Sequence, residues 1–242
     1  MEDSLVIIPT FNEIENIEAI IKAVFALEKK FHVLVVDDNS PDGTAEQVRE
    51  LQHQFADRLF LEVRKEKSGL GTAYIHGFKW AIAHKYDFIF EMDADFSHRP
   101  DDLPRLYRAC VNGADVVVGS RYKKGVNVVN WPLYRMLLSY GASFYVKLIT
   151  GMKVHDPTAG FVCYRRKVLE TIDLEAIKFV GYAFQIEMKF RAHLKKFKIE
   201  EISIIFTDRV RGKSKMSSSI VGEAIFGVLK MKLSSIFQRH KF

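Results

Sequence analysis

The chain has 242 residues, of which 48% are hydrophobic and 27% charged, a composition that excludes a disordered or fibrous protein. Its 36 lysines and arginines exceed its 30 aspartates and glutamates by six, which favours anionic partners: nucleotides, phosphate substrates, phospholipid or nucleic acid. Two cysteines exclude a disulfide framework and favour a reducing, cytoplasmic location. The acidic start is unlike a signal peptide, and no apolar run reaches the roughly 18 residues of a membrane-spanning helix.

Apolar runs alternate with helical periodicity over the first 120 residues. Strands are predicted at 5–8, 33–36, 59–63, 88–92 and 116–118, and helices at 15–27, 45–55, with Thr44 as its cap, and 72–84. Short strands without strict polar alternation are buried on both faces of a sheet. Strands that alternate with helices indicate a parallel, doubly wound sheet, so the sequence predicts an α/β fold.

The second half of the chain is less regular. A helix is predicted at 134–149, a strand at 200–206, a basic, serine-rich loop at 209–219 and a last helix at 220–237. The simplest organisation is one catalytic domain over residues 1–219, followed by a C-terminal amphipathic helix over 220–242. The last helix has an apolar stripe formed by Val221, Ile225, Val228, Leu229, Leu233, Ile236 and Phe237, and nearby cations at Lys230, Lys232, Arg239 and Lys241. Two interpretations remain open: a helix packed on the catalytic domain, or an interfacial helix on a membrane.

Polar clusters follow the predicted strands at 9–13, 37–38 and 93–95. Ligands of open parallel sheets bind beyond the carboxyl ends of the strands. Asp93 and Asp95 are two residues apart, so both carboxylates can point to one side, and carboxylates with a substrate phosphate are typical ligands of Mg²⁺. The alternative is a pair of turn aspartates. Asp37 and Asp38 are consistent with ribose or base recognition, a second metal ligand or a capped turn.

Two further segments carry groups suited to phosphate. Gly69 and Gly71 form only a weak phosphate-loop signal, and we expect them to let a loop pass close to a nucleotide. Arg135 and Ser139 are four residues apart on a predicted helix and share a face, with Arg121 upstream. The basic loop around 209–215 is suited to a phosphate or an anionic membrane, whereas nucleic acid is disfavoured because no stacking aromatics interleave. Solvated surface positions remain the alternative for these cations.

These motifs resemble a known family. Residues 6–13 (VIIPTFNE), 35–44 (VVDDNSPDGT) and 92–95 (MDAD) are similar to family-2 glycosyltransferases of GT-A fold. Residues 93–100 (DADFSHRP), 119–122 (GSRY), 130–135 (NWPLYR) and 211–215 (RGKSK) narrow the resemblance to dolichyl or polyprenyl phosphate mannose synthases. It extends over about residues 4–216. The resemblance implies a mostly parallel sheet flanked by helices, with GDP-mannose and a polyprenyl phosphate as substrates and Mg²⁺ or Mn²⁺ as cofactor.

The resemblance also implies roles for individual residues. Asp93, Asp95 and Arg121 would be catalytic, and the first two would hold the metal together with Ser97. The nucleotide would be bound by Pro9, Phe11, Glu13, Val36, Asp38, Ala94, Arg209 and Lys215. The acceptor phosphate would be bound by Arg121, Arg135 and Ser139. Ala183 departs from relatives that carry lysine at this position, so it receives no role.

The expected reaction transfers mannose to the lipid phosphate with inversion of the anomeric centre. UDP-glucose as donor, a soluble sugar acceptor, or a binding module without turnover are the alternatives. Many members of the resembled family carry transmembrane helices after the catalytic domain, whereas none is predicted here. The Q-x-x-R-W motif of processive synthases is also absent from the sequence. We therefore expect an enzyme bound peripherally to the cytoplasmic face of a membrane, by its own last helix or by a membrane-protein partner.

Overall fold

The computed structural model describes residues 3–181, 183–208 and 218–237, with side chains in the last range from Phe226 onward. The strands are β1 (Ser4–Thr10), β2 (His32–Asp37), β3 (Leu59–Val63), β4 (Phe88–Glu91), β5 (Val116–Ser120), β6 (Val128–Val129), β7 (Val162–Arg165), β8 (Ile199–Ser203) and β9 (Phe206–Thr207). The helices are α1 (Ile17–Phe25), α2 (Thr44–Gln52), α3 (Leu70–Ala83), α4 (Leu103–Val111), α5 (Leu133–Thr150), α6 (Arg166–Thr171), α7 (Ala183–Leu194) and α8 (Ser218–Phe237).

Seven strands form one sheet in the order β3-β2-β1-β4-β7-β5-β8. All neighbours are parallel except β7, which runs antiparallel between β4 and β5. The predicted α/β fold with a mostly parallel sheet is confirmed, and β7 is the one antiparallel strand among the seven. Because β7 runs the other way, the loop that precedes it, 156–161, reaches the same edge as the ends of β4 and β5.

The sheet is buried on both faces, as its continuous apolar strands predict. Along β1, Val6 and Ile8 pack against α1, α2 and α4, while Leu5 and Ile7 pack against α3, α6 and α7. Each of these four side chains is fully buried. At about 1.5–3 kcal/mol for each buried aliphatic side chain, the two layers supply most of the driving force that holds the sheet in place.

A third core cluster joins α5, α7 and α8. It contains Val146 of α5, Phe190 of α7, and Val228 and Met231 of α8. The helix predicted at 220–237 is confirmed and begins two residues earlier, at Ser218. The predicted apolar stripe is divided between two environments, because Val228 is buried while Leu229 and Leu233 are exposed. Val221, Ile225, Arg239 and Lys241 lie outside the described side chains.

The strand predicted at 200–206 is two strands. β8 ends at Ser203, and after Ile204 and Ile205 the chain enters β9, which pairs with β6 in a separate two-stranded sheet. In this small sheet Val128 lies opposite Phe206 and Val129 opposite Thr207. The break matters because it moves residues 206–208 toward α5 and the acceptor residues predicted there. The division into domains at residue 219 stays a prediction.

Candidate active site

Asp37 ties together the loops that follow β1 and β2. Its carboxylate accepts hydrogen bonds from the hydroxyls of Thr10 and Ser40, both at 2.7 Å. The Ser40 backbone N–H donates to the same carboxylate at 2.8 Å. Asp37 is completely buried, and all of these partners are protein groups. Asp37 therefore has a structural role at the edge of the sheet, and a ligand contact from this pair would come from Asp38.

The loop 11–14 is held by side chains of the 40–44 turn. The Asn12 N–H donates to Ser40 Oγ and the Glu13 N–H to Thr44 Oγ1, each at 3.0 Å. The prediction that Thr44 caps α2 is therefore wrong. Thr44 is the first residue of the helix, it follows Gly43 at φ +90°, and its hydroxyl donates to Asp42 while accepting from Glu13.

Asp38 and Arg64 form an ion pair at the end of β2. Arg64 Nε donates to Asp38 Oδ1 at 2.6 Å, and its Nη1 donates to Thr72 Oγ1 at 2.7 Å. Burial raises the pKa of Asp38 above its ordinary value, although Arg64 opposes the shift. Phe11 lies opposite, with the Lys67 ammonium 4.3 Å from its ring centroid. This edge offers an aromatic face, two cations and a carboxylate, which are groups suited to a nucleotide.

Three assigned nucleotide residues differ in their surroundings. Val36 is completely buried and Ala94 nearly so, and both belong to the core. Both side chains are buried at the edge of the sheet, and their assignment to a nucleotide stays a prediction. Pro9 is partly exposed at the end of β1. Arg209 and Lys215 lie outside the described residues.

Gly69 and Gly71 are required by a protein contact. Gly69 has φ +100°, and a Cβ at either glycine would lie within 3.0 Å of Val180 or the Phe184 ring. The Gly71 N–H also donates to Val180 O at 2.8 Å. The expected close approach is therefore real, but its partner is the loop before α7.

Asp93 and Asp95 lie on a tight turn directly after β4. The turn passes through Phe96 at φ +60°, a left-handed conformation that is costly for a bulky residue, and the Phe96 side chain packs against the core. Asp95 Oδ1 accepts from the Ser97 N–H at 3.1 Å. The packing of Phe96 thus fixes a strained turn that brings both carboxylates to the sheet edge.

His98 holds this turn from beneath. The Asp93 N–H donates to His98 Nδ1 at 3.2 Å, and the imidazole stacks on Phe161 with ring centroids 5.0 Å apart. Burial lowers the pKa of His98 to about 4, so the ring is neutral at pH 7 and Nδ1 can accept. His98 therefore positions the Asp93 backbone.

The turn has groups that fit a divalent cation. Ser97 Oγ is buried, and no residue in the described ranges forms a hydrogen bond with it. A metal ion would use that lone pair, and the Asp93 and Asp95 carboxylates supply charge on the same turn. In the described part of the chain, no cluster of three or more His, Cys, Asp and Glu side chains is arranged to bind a metal. Two carboxylates and a hydroxyl are the incomplete set that Mg²⁺ or Mn²⁺ completes with phosphate oxygens and water.

Arg121 is bound by a buried carboxylate. Its Nε and Nη2 donate to the two oxygens of Asp156, both at 2.7 Å, and its backbone N–H donates to the same carboxylate at 3.0 Å. Although burial disfavours the charge, the charge and hydrogen bonds of Arg121 hold the pKa of Asp156 below its ordinary value. Nη2 also donates to Thr158 Oγ1. An acceptor phosphate would therefore share Arg121 with Asp156.

Aromatic rings link Arg135 and Ser139 to the neighbourhood of Arg121. The centroid of the Trp131 ring is 4.2 Å from Arg135 Cζ and 5.5 Å from Arg121 Cζ. The Tyr122 hydroxyl donates to Ser139 Oγ at 2.7 Å. The structure thus brings the three predicted acceptor residues together. Asp208, directly after β9, forms an ion pair with Arg135 at 2.9 Å.

Phe206 connects the two halves of the site. Its ring lies 5.6 Å from the His98 ring, 5.4 Å from the Trp131 ring and 5.6 Å from Arg121 Cζ. Because His98 binds the Asp93 backbone, one aromatic side chain separates the carboxylate turn from the cations. A phosphate on the cations therefore lies next to a ligand on the turn.

Residues that the sequence reasoning missed lie directly behind the predicted ones. Arg64 follows β3, next to Asp38 on the neighbouring strand, so the strand order alone would have indicated it. Asp156 gave no comparable signal, because its place at this edge depends on β7 running antiparallel, and the motif 93–100 contains His98 without indicating its hydrogen bond to the Asp93 backbone. Glu91 and Lys189 are fully buried below the site, where burial raises the pKa of Glu91 to about 8 and lowers that of Lys189 to about 8.

The chain belongs to glycosyl transferase family 2, whose domain matches residues 5–173. It is 47% identical over 225 residues to a polyprenol monophosphomannose synthase of Mycolicibacterium smegmatis, covering 93% of this chain and 85% of the relative. It is 43% identical to an undecaprenyl-phosphate mannosyltransferase of Micrococcus luteus, covering 96% and 94%. A dolichol-phosphate mannosyltransferase of Pyrococcus furiosus is 38% identical, covering 93% of this chain and 61% of that protein.

Solved structures share the fold at low sequence identity. Glucosyl-3-phosphoglycerate synthase from Mycobacterium tuberculosis, in complex with Mn²⁺ and UDP, has a TM-score of 0.66 and 17% identity, covering 96% of this chain and 79% of that chain. A mannosyltransferase from Pyrobaculum calidifontis, in complex with GDP-Man and Mn²⁺, has a TM-score of 0.59 and 15% identity, covering 97% and 74%. The predicted GT-A fold is confirmed.

Proposed function

We propose that this glycosyltransferase transfers mannose from GDP-mannose to a polyprenyl phosphate, giving polyprenyl phosphomannose and GDP. The observation that carries the proposal is the position of Arg135 and Ser139 on α5. These residues lie on the inner side of the helix, beside Arg121, while the outer side of the same helix is apolar and exposed. A lipid phosphate needs both: cations for its head and an apolar surface for its chain. The relatives named for mannosyl transfer to polyprenyl phosphates support the same substrates.

The chemistry requires two anions to approach each other. A phosphate oxygen of the acceptor attacks C1 of mannose, the bond from C1 to the diphosphate oxygen breaks, and its electron pair leaves with GDP. One displacement inverts the anomeric centre. The attacking phosphate is already ionised at pH 7, so the reaction needs positioning and charge neutralisation more than a general base. Arg121 and Arg135 are suited to hold the acceptor, and Asp38, Arg64 and Phe11 to hold the nucleoside.

A divalent cation completes the donor side of the proposal. Asp93, Asp95 and Ser97 would hold Mg²⁺ or Mn²⁺, which neutralises the charge of the leaving diphosphate when bound. The unsatisfied hydroxyl of Ser97 supports this assignment. His98 and Phe96 contribute by fixing the backbone of the turn.

A membrane supplies the acceptor in this proposal. No helix in the described ranges has the length and apolar character needed to cross a bilayer. Large apolar side chains, each more than half exposed, lie on α5 at Leu133, Tyr134, Leu137, Leu138, Tyr140, Phe144 and Leu148, and on α8 at Phe226, Leu233, Ile236 and Phe237. The third core cluster joins the two helices, so we define these residues as the apolar face. We propose that the apolar face lies in the headgroup boundary, because a polyprenyl chain leaves the bilayer only at about 0.8 kcal/mol per CH₂.

A substrate panel tests the proposed reaction. GDP-mannose, GDP-glucose, UDP-glucose and UDP-GlcNAc are each incubated with a short-chain polyprenyl phosphate or with free mannose, and products are identified by mass. We expect one main product, the mannosylated lipid phosphate. Preferred use of UDP-glucose, or transfer to free mannose alone, would replace the proposal with one of the alternatives.

A further inference from the structure

Trp131 lies in a short connection whose sequence defines its backbone. Asn130, directly after β6, has φ +63°, a left-handed conformation that asparagine tolerates better than most residues. Pro132 immediately precedes α5, and its carbonyl accepts from the Arg135 N–H at 3.0 Å. Pro has a φ that suits a helix start. Between these two neighbours, the Trp131 ring lies between Phe206 of β9 and Arg135 in the first turn of α5.

Two guanidinium groups share the Trp131 ring, at 4.2 Å for Arg135 and 5.5 Å for Arg121. Two like charges around one ring repel each other, so each has a carboxylate as well: Asp156 binds Arg121 and Asp208 binds Arg135. Aromatic rings attract cations to their faces. The indole is thus the element that the two cations have in common.

The indole ring is held by stacking. The Phe206 ring meets it edge-on, with centroids 5.4 Å apart and planes at 71°. The indole Nε1–H is buried, and within the described ranges it has no hydrogen-bond partner. The position of the ring therefore depends on its aromatic contacts, and the ring restrains the two guanidinium groups together with their carboxylate partners.

We propose that Trp131 is a positioning residue for the acceptor: its aromatic face holds Arg121 and Arg135 at the spacing needed to grip one phosphate. This inference rests on the proposed function, because it assumes that the shared anion is the acceptor phosphate. It assigns to Trp131 a role that the cations alone do not fulfil. Without the ring, only the ion pair with Asp208 restrains the partly exposed Arg135, so its guanidinium can turn toward water and leave the phosphate with one cation.

Two substitutions separate the aromatic face from the apolar volume. Trp131→Phe keeps a ring face, and Trp131→Leu keeps apolar bulk without π electrons. We expect Trp131→Leu to raise the KM for a short-chain polyprenyl phosphate about tenfold, in the range of one or two lost cation–π contacts. Trp131→Phe should stay within about threefold of wild type. The KM for GDP-mannose and kcat at saturating acceptor should change little in both variants.

Trp80→Phe is the matched control, because Trp80 is the only other tryptophan in the sequence and packs on Phe60, His84 and Tyr86. This variant also makes Trp131 the sole tryptophan. Titrating it with the short-chain lipid phosphate, without donor, should change its fluorescence saturably, at a midpoint near the acceptor KM. Trp131→Phe, with only Trp80 left, should show no change. This measurement needs no turnover and does not depend on the folding of Trp131→Leu.

The possible outcomes are distinct. Equal acceptor KM values for Trp131→Leu and Trp131→Phe, whether raised or not, would overturn the role of the ring face. A raised KM for GDP-mannose instead, or unchanged fluorescence in Trp80→Phe, would also overturn it. A wild-type protein that makes no mannosylated lipid phosphate would overturn the proposed function, and this result is independent of every Trp131 variant.

Discussion

Arg121 joins the core of the protein to the proposed acceptor site. Its guanidinium is bidentate with Asp156, which is completely buried, and the rings of Tyr122, Trp131 and Phe206 lie around it. Such a pair gives little net stability when intact, because desolvation offsets the attraction, but breaking it leaves a buried charge without its counterion. Asp156 thus fixes the orientation of the Arg121 guanidinium.

Replacing this carboxylate should cost stability in a pH-dependent way. We expect Asp156→Asn to lower the free energy of unfolding by about 3 kcal/mol at pH 7. Arg121 lowers the pKa of Asp156 in the folded protein below its ordinary value of 3.8, so the contribution is complete above pH 3.8 and is lost as the pH falls through the lower folded value. Urea unfolding of both proteins between pH 7 and pH 3 measures the difference.

Asp101→Asn is the control for this experiment. Asp101 pairs with Arg99 at 3.4 Å, but its side chain is 73% exposed, and surface pairs contribute little. The free energy of unfolding of the Asp101→Asn variant should equal that of the wild-type protein within error. If Asp156→Asn and Asp101→Asn had equal effects, or if the effect of Asp156→Asn grew toward low pH, the buried pair would not have the role described here.

Ser97 offers a second test at the scale of single residues. If its unsatisfied hydroxyl ligates the metal, Ser97→Ala should raise the Mn²⁺ or Mg²⁺ concentration needed for half-maximal turnover several-fold, because one of about six oxygen ligands is lost. Affinity for GDP measured without metal should not change. Metal titrations of turnover and of GDP binding provide both values.

Ser143→Ala is a matched control, since Ser143 Oγ is also buried without a hydrogen-bond partner in the described chain but lies on α5. It should titrate with metal as wild type does. Identical metal curves for Ser97→Ala and wild type would remove Ser97 from the set of ligands.

The site residues were predictable to different degrees. Asp93 and Asp95 follow a recognisable strand, so their place at the sheet edge required only the rule for parallel sheets. Arg135 and Ser139 were predictable from helical spacing. Asp156, by contrast, lies before an antiparallel strand that returns between β4 and β5, and no local pattern shows that Arg121 is its partner. Roles that depend on contacts between residues distant in the sequence could not be predicted from local patterns.

At the scale of elements, α5 and α8 pack against each other and have the same two-sided character. Each has one side in the third core cluster and the other in the apolar face. The sequence periodicity of α8 could not separate these sides, because both are apolar, and a wholly apolar pattern does not tell which side meets the protein. The same reason explains why α5 was predicted as a helix but not as part of the apolar face.

Polar substitutions on the apolar face should weaken membrane binding. We expect Leu137→Ser with Phe144→Ser on α5, or Leu233→Ser with Ile236→Ser on α8, to reduce co-sedimentation with anionic liposomes at least tenfold, because each pair loses two large apolar contacts. Far-UV circular dichroism and the melting temperature should not change, since these side chains are exposed. Turnover of a water-soluble short-chain acceptor should be retained.

The packing of α8 makes point substitutions a better test of membrane binding than deletion of the helix. Deleting 220–242 would also expose Val146 and Phe190, so lost binding would have two explanations. Val111→Ser, on an exposed apolar residue of α4, is the better control and should bind liposomes as wild type does. Liposome binding that is equal in all these variants would show that something other than the apolar face brings the protein to the lipid.

At the scale of the whole molecule, the two proposed anion sites lie at one edge of the sheet. The carboxylate turn after β4 suits a metal-bound diphosphate, and the cations around Trp131 suit a lipid phosphate, with Phe206 between them. The apolar face begins at Leu133, two residues after Trp131. This arrangement predicts that the new bond joins mannose to phosphate, because the guanidinium groups of Arg121 and Arg135 favour an anionic acceptor over a neutral hydroxyl.

Phosphorus NMR of the complete reaction tests this claim most directly. Purified protein is mixed with GDP-mannose and a short-chain polyprenyl phosphate in a buffer that contains Mg²⁺ and no Mn²⁺. The phosphorus resonance of the acceptor is followed over time. We expect the phosphomonoester signal to be replaced by a phosphodiester signal coupled to an inverted mannose C1–H, with GDP released in equal amount. A phosphomonoester signal that persists while GDP is released, with mannose on water or on another sugar, would contradict the proposed reaction.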